Sequence, residues 1–274
     1  MLYLLKRRRI LWAAFSILFL VIILAAFTPW LAPYSPYETN PVIRLQAPST
    51  AHWLGTDRYG RDVLSRVIYG ARLSMLIGLS VSAIVMVVGT LSGIVSGYFS
   101  YADSIIMRIM DALMAVPSIM LALALMAIFG AGIRNVIIAL AITFIPALAR
   151  IARGSTLSVR EESFVESARA SGAGNGRILF RHLLPNILSP IIVHVTITFA
   201  LALVTEAALS FLGVGVPPEI PSWGSIIADG RDYMVRAPWL TIAPGVAIVL
   251  TVLSVNMIGD AIRDLVDPAL RGVD

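Results

Sequence analysis

The sequence predicts an all-α integral membrane protein with six transmembrane helices and both termini on the cytoplasmic side. Three observations predict it. Hydrophobic residues make up 58% of the 274 positions and charged residues only 14%, whereas a soluble domain carries about 25% charge. The apolar residues fall into runs at 10–30, 73–99, 109–129, 135–149, 191–212 and 239–258, and a bilayer core needs about 20 apolar residues as a helix. The basic residues are shared unevenly between alternate loops, which sets orientation. Composition speaks against a soluble enzyme, and equally against a disordered chain, which needs low hydrophobicity and high charge. Helix is the form expected for the runs, because lipid offers the backbone no hydrogen-bond partners.

The first span is placed at 10–32, after a cytoplasmic tail, 1–9, that carries Lys6, Arg7, Arg8 and Arg9. It is longer than a signal-peptide core and runs into Thr28-Pro29-Trp30 without a small-residue cleavage site, so it reads as uncleaved. With the N-terminus inside, inner segments carry 13 basic residues and outer segments 8. The outer loop 33–72 is the difficulty, since it holds Arg44, Arg58, Arg61, Arg66 and Arg72. Its first part is rich in proline and irregular. Residues 61–72 have helical spacing, with Val63, Leu64, Val67 and Ile68 on one side, and are expected as a helix lying in the membrane interface.

A five-helix core follows over 73–262. In its first helix Gly89, Gly93 and Gly97 form a ridge of small residues that lets a second helix approach closely. That helix could belong to this chain or to a second membrane subunit. Asp111 in the next run has Arg108 as the expected partner. The fourth run is short and contains Pro146. Glu206, inside the fifth, is costly in lipid. It is a candidate pathway or gate residue, or else makes a buried hydrogen bond to another helix. Trp239 is expected at the membrane interface, and Trp223 in a loop that could receive a partner. The tail 263–274 is cytoplasmic.

The inner loop 150–190 is the most informative segment. Ser158-Val159-Arg160-Glu161 has the spacing of a capping box. Gly172 is a natural helix stop. A second short helix is expected from Arg177 to Leu184, ending at Pro185. Phe164, Ala168 and Ser171 share a helix face. Phe164 either folds back onto the membrane helices or plugs a pocket on a partner. Two short helices joined by a hinge suggest a docking surface.

Here the sequence resembles a known family. Glu166-Ser167-Ala168, Gly172 and Leu184-Pro185 are similar to the EAA loop of ABC importer permeases, with Ser167 and His182 as departures. Leu54-Gly55-Thr56-Asp57, Gly60-Arg61-Asp62, Ser65-Arg66 and Gly70-Ala71-Arg72 resemble the outer segment of the C-type permease of dipeptide, oligopeptide and nickel importers. Phe211 to Pro218 with Pro221-Ser222-Trp223-Gly224 are similar to its final outer loop, and Asn256, Gly259-Asp260 and Arg263-Asp264 through Asp267-Pro268 to its C-terminal signature. The resemblance implies the ABC importer permease fold in a multi-pass protein of a bacterial or archaeal cytoplasmic membrane. It implies a homologous second permease, two cytoplasmic ABC ATPases that hold ATP and Mg²⁺, and an extracytoplasmic substrate-binding protein. It makes Phe164, Glu166, Ser167, Ala168, Gly172, Leu184 and Pro185 the ATPase-coupling loop. Glu166 would bind an ATPase group, or pair with Arg169 or Arg160. Di- and oligopeptides are the expected substrates, with nickel or a glutathione-like molecule as alternatives.

The other residues agree. Lys6 is the only lysine, so the P-loop pattern is absent and no cofactor is expected in this chain. No nucleic-acid partner is expected. There is no cysteine, and His52, His182 and His194 are scattered, which offers little to nickel or to an intramembrane enzyme. A secondary transporter would couple through intramembrane carboxylates, for which Glu206 alone is thin support.

Overall fold

The computed structural model describes residues 2–266, with side chains described from residue 10 to residue 263. The described residues form helices, short helical turns and loops, with a lone bridge between Thr56 and Asp62. The tail's Asp267-Pro268 and Arg271 lie outside the described residues.

We number the principal helices α1 (Leu2–Ala26), α2 (Val63–Tyr98), α3 (Ser100–Met114), α4 (Ser118–Phe129), α5 (Ile133–Val159), α6 (Ser163–Ala170), α7 (Asn175–Phe211), α8 (Trp223–Gly230) and α9 (Trp239–Val266). Among the described residues α2, α5, α7 and α9 are each long and apolar enough to cross a membrane. The pair α3 and α4 passes the same test only when taken together, and Ile10–Ala26 of α1 is a shorter apolar helix. Large apolar side chains stay exposed along these helices, Leu79, Val87, Met120 and Leu253 among them. Such surface calls for lipid or another subunit to cover it.

Three expectations are corrected. Residues 61–72 do not make a separate interfacial helix, because Val63 onward is the start of α2. At 36 residues α2 is about 54 Å long, well beyond a ~30 Å hydrocarbon core. Its first turns can therefore carry the polar side chains that suggested a surface helix. The run 109–129 is broken: α3 and α4 meet at 92°, where Pro117 drives the preceding residue out of helical geometry. The chain also does not stop at Pro185. Asn175 to Phe211 is continuously helical, with a π-helical stretch at Ile178–Leu183. There the Leu184 N–H donates to the Leu179 carbonyl, five residues back. This wider turn is how a helix absorbs a local irregularity next to a residue without an N–H.

The chain divides into two compact units. One contains the residues up to Ser80, Ala122–Leu140 and Phe199–Ile258. Its core packs Val21, Met75, Phe199, Leu203, Trp223 and Ile248 together. Trp223 is fully buried, its indole N–H donating to the Val67 carbonyl and its backbone N–H to Ser74 Oγ. It is thus a core residue of this unit, unlike the loop position expected for it. The Trp239 indole likewise donates inward, to the Thr56 carbonyl.

The other unit contains Val81–Leu121, Ala141–Thr198 and the segment from Gly259. Its organising contact is the glycine ridge, which is filled by this chain. A Cβ on Gly93 would lie 2.5 Å from Ala152 Cβ and 2.5 Å from the Ala149 carbonyl oxygen. One on Gly97 would lie 2.7 Å from Thr156 Cβ. The C-terminal half of α2 and the α5 backbone therefore touch with no room for side chains. Two ion pairs join α3 to α5: Asp103 with Arg153 at 2.5 Å, and Asp111 with Arg150 at 2.7 Å. Arg150, rather than Arg108, is the partner of Asp111.

Candidate functional sites

The loop 150–190 forms its site from α6 and its flanks. Ser158 does not cap α6, since α5 continues to Val159. Glu162 takes the N-cap position without a side-chain bond, and Glu166 lies in the first turn, where negative charge favours the helix dipole. At the other end Gly172 adopts φ +82°. The Gly172 N–H donates to the Arg169 carbonyl and the Ala173 N–H to the Ala168 carbonyl, the paired bonds of a Schellman stop. Only a residue tolerant of the left-handed region ends the helix this way.

Adjacent residues on α6 face opposite ways. Val165 is fully buried, clustered with Ile178 and Leu183. Phe164 is 41% exposed, with the His182 ring 6.4 Å away. Val165 thus holds α6 down while Phe164 is presented outward. Glu166, Ser167 and Pro185 are exposed and Ala168 and Leu184 half-buried. Glu166 pairs with neither Arg160 nor Arg169. Arg160 instead pairs with Glu161 and donates to the Gly97 carbonyl, and Arg169 lies 5.8 Å from the Tyr98 ring centre. Val165 and Tyr98 escaped the sequence reading. A valine in a polar loop carries little signal, and Tyr98 is remote in sequence.

A second site gathers three of the five arginines of the segment 33–72, Arg58, Arg61 and Arg66. Asp57 accepts from Arg61 Nε at 2.6 Å and Arg66 Nη1 at 3.1 Å. Asp229 of α8 accepts from Arg58 at 3.0 Å, Arg61 at 2.9 Å and Arg66 at 3.1 Å. Arg66, Asp57, Arg61 and Asp229 are all buried. Burial pushes the Asp229 carboxyl above its ordinary value, against the opposing pull of Arg61 and Arg58. Gly60 makes the tight turn between Asp57 and Arg61 possible: it sits at φ +73°, and a Cβ there would lie 1.8 Å from the Asn40 carbonyl oxygen. Asp229 was not foreseen, because nothing in sequence marks a carboxylate more than 160 residues away as the counterion.

Glu206 of α7 is buried. Its Oε1 accepts from Ser210 Oγ and Ser222 Oγ, both at 2.9 Å. Each hydroxyl in turn accepts a backbone N–H, from Val216 and Ser225 respectively. One carboxylate therefore orients two serines that hold the loop after α7 and the N-terminus of α8. Gly224 leaves the space, since a Cβ there would lie 2.8 Å from Oε1. Among the described residues no three His, Asp or Glu side chains cluster so as to hold a metal ion.

Several helices long and apolar enough to cross a membrane, with a short helix on a polar loop between two of them, make a multi-pass membrane protein. The profile described as binding-protein-dependent transport system inner membrane component matches residues 86–272. A second, the N-terminal transmembrane domain of oligopeptide transport permease C, matches residues 1–48. The chain belongs to the family of binding-protein-dependent transport system inner membrane components. It is 45% identical to a putative peptide transport system permease protein of Brucella suis, over 97% of this chain and 90% of that one. It is 44% identical to a dipeptide transport system permease protein of Alkalihalophilus pseudofirmus, over 97% and 88%. A glutathione transport system permease protein of Pectobacterium atrosepticum is 43% identical, over 97% and 89%. A solved chain of the MetNI methionine ABC transporter, in an inward-facing conformation, has a TM-score of 0.58 and 16% identity, over 72% of this chain and 96% of that chain. That likeness speaks for the fold alone.

Proposed function

We propose that this permease forms half of the translocation path of an ATP-driven importer for di- and oligopeptides. It crosses a bacterial or archaeal cytoplasmic membrane six times, as α1, α2, the bent pair α3–α4, α5, α7 and α9, with both termini cytoplasmic. Residues 33–72 are then extracytoplasmic. A homologous permease supplies the other half of the path, and a binding protein delivers substrate from outside. Two ABC ATPases hold ATP and Mg²⁺, and α6 is the helix they grip.

The single observation that carries this reading is the opposed pair Phe164 and Val165. An aromatic side chain is held out of a polar loop by a helix that its buried neighbour pins, as a docking anchor requires. The Gly172 stop keeps α6 short, so a push on it is not lost in a flexible end. Peptide as substrate is supported by the peptide and dipeptide transport permeases of Brucella and Alkalihalophilus to which the chain is similar. A glutathione-like tripeptide is the second reading, supported by the Pectobacterium relative.

The test is uptake into proteoliposomes that hold the chain with its second permease and both ATPases. Labelled dipeptide should enter only with binding protein outside and ATP at the ATPases. Uptake without ATP that an uncoupler abolishes would instead make the chain a secondary transporter.

A further inference from the structure

A gripped helix does work only if its displacement reaches the membrane helices. α5 and α7 are joined to α6 by short links of chain, but α2 ends at Tyr98, far away in sequence. Tyr98 nevertheless stands at the junction. Its hydroxyl donates to Asn175 Oδ1 at 2.9 Å, at the start of α7. Its ring lies 5.8 Å from the Arg169 guanidinium of α6, within the range of a cation–π contact. The same ring packs on the cluster of Val165, Ile178 and Leu183. One residue before it, the Gly97 carbonyl accepts from Arg160 Nη1 at 2.8 Å.

The neighbouring contacts give these bonds their consequence. The ridge of Gly89, Gly93 and Gly97 clamps α2 against α5, so the two move as a pair. On the other side of α6, the chain passes the Gly172 stop and Gly174 into the π-helical stretch of α7, so this link reaches α7 and not α2. Without Tyr98, α6 would still pack on α7 through Val165, Ile178 and Leu183 but would reach α2 only indirectly. With it, α6 and the first turn of α7 are fastened directly to the end of a transmembrane helix.

We infer that Tyr98 is the positioning residue that delivers displacement of α6 to α2. This rests on α6 being the helix gripped by the ATPases. The experiment uses the assembled importer in proteoliposomes and measures substrate moved per ATP hydrolysed. Tyr98→Ala should leave the ATPases bound and hydrolysing while that ratio falls about tenfold, a modest coupling between sites. Tyr98→Phe keeps the ring and loses only the Asn175 bond, so it should recover most of the ratio. A merely structural tyrosine would lower uptake and hydrolysis together, and an unchanged ratio in Tyr98→Ala overturns the inference. If Tyr98→Ala does not accumulate, Tyr98→Phe and Asn175→Ala decide. Each removes one hydrogen bond and should lower the ratio about twofold, and no change in either overturns it. Should Gly172→Val uncouple the importer while Tyr98→Ala does not, only the role of Tyr98 falls. Should Phe164→Ala and Gly172→Val both be without effect, it is the reading of α6 that fails.

Discussion

Gly93 of α2 and Ala152 of α5 meet so closely that a Cβ on the glycine would lie 2.5 Å from the alanine's own. Gly93→Val should therefore separate the two helices. Overpacking costs about 1–3 kcal/mol, and backbone contact on both sides places this variant at or above the upper end. Gly154→Ala, on the same α5 with open space around it, should be neutral or stabilise by roughly 0.5–1 kcal/mol. Thermal unfolding of the detergent-purified importer separates the two.

Arg66 and Arg44 both lie in the segment 33–72. Arg66→Ala removes one buried donor from each of Asp57 and Asp229, which keep Arg61 and Arg58, and should cost about 1.5–3 kcal/mol for the lost charged hydrogen bonds. Arg44 is exposed, and Arg44→Ala should change stability by no more than about 0.5 kcal/mol. Equal melting temperatures for the two variants would show that the buried cluster does not hold its unit together.

Glu206→Gln keeps an acceptor oxygen for Ser210 and Ser222 and should melt close to the parent. Glu206→Ala leaves both hydroxyls unmatched, at about 1–3 kcal/mol each. If the carboxylate's task is to hold α8, uptake follows stability across the pair. A stable Glu206→Gln importer with no uptake would make Glu206 a pathway or gate residue instead.

On α6, Phe164→Ala should weaken attachment of the ATPases about 30-fold, the ~2 kcal/mol that marks an aromatic hot spot, read as loss of their co-purification. Gly172→Val, forced to φ +82°, should leave the protein inserted while hydrolysis continues with little uptake. Full uptake by that variant would remove Gly172 from the coupling loop.

Much of this was readable before any fold was known. Apolar runs marked the helices, because burial in lipid demands unbroken stretches of apolar residues. Gly172 marked the end of α6, because the left-handed region nearly names the residue that occupies it. The glycine ridge announced a close helix contact without naming the helix. Other signals were local and misled. Pro185 reads as a stop, yet a π-helical turn carries α7 past it. Ser158 and Glu161 have capping spacing, yet α5 runs through Ser158.

Membrane character, the family pattern and the C-terminal end of α6 follow from neighbours in the chain, whose preferences are set within a turn or two. Which charges neutralise Arg58, Arg61 and Arg66, which helix fills the ridge, and which way Phe164 and Val165 point were decided only by tertiary contact. Asp57 and Asp229 share Arg61 and Arg66 across more than 160 residues. A charge pair or a steric fit at that separation has no local energy to leave a trace; it exists only once the intervening helices have packed.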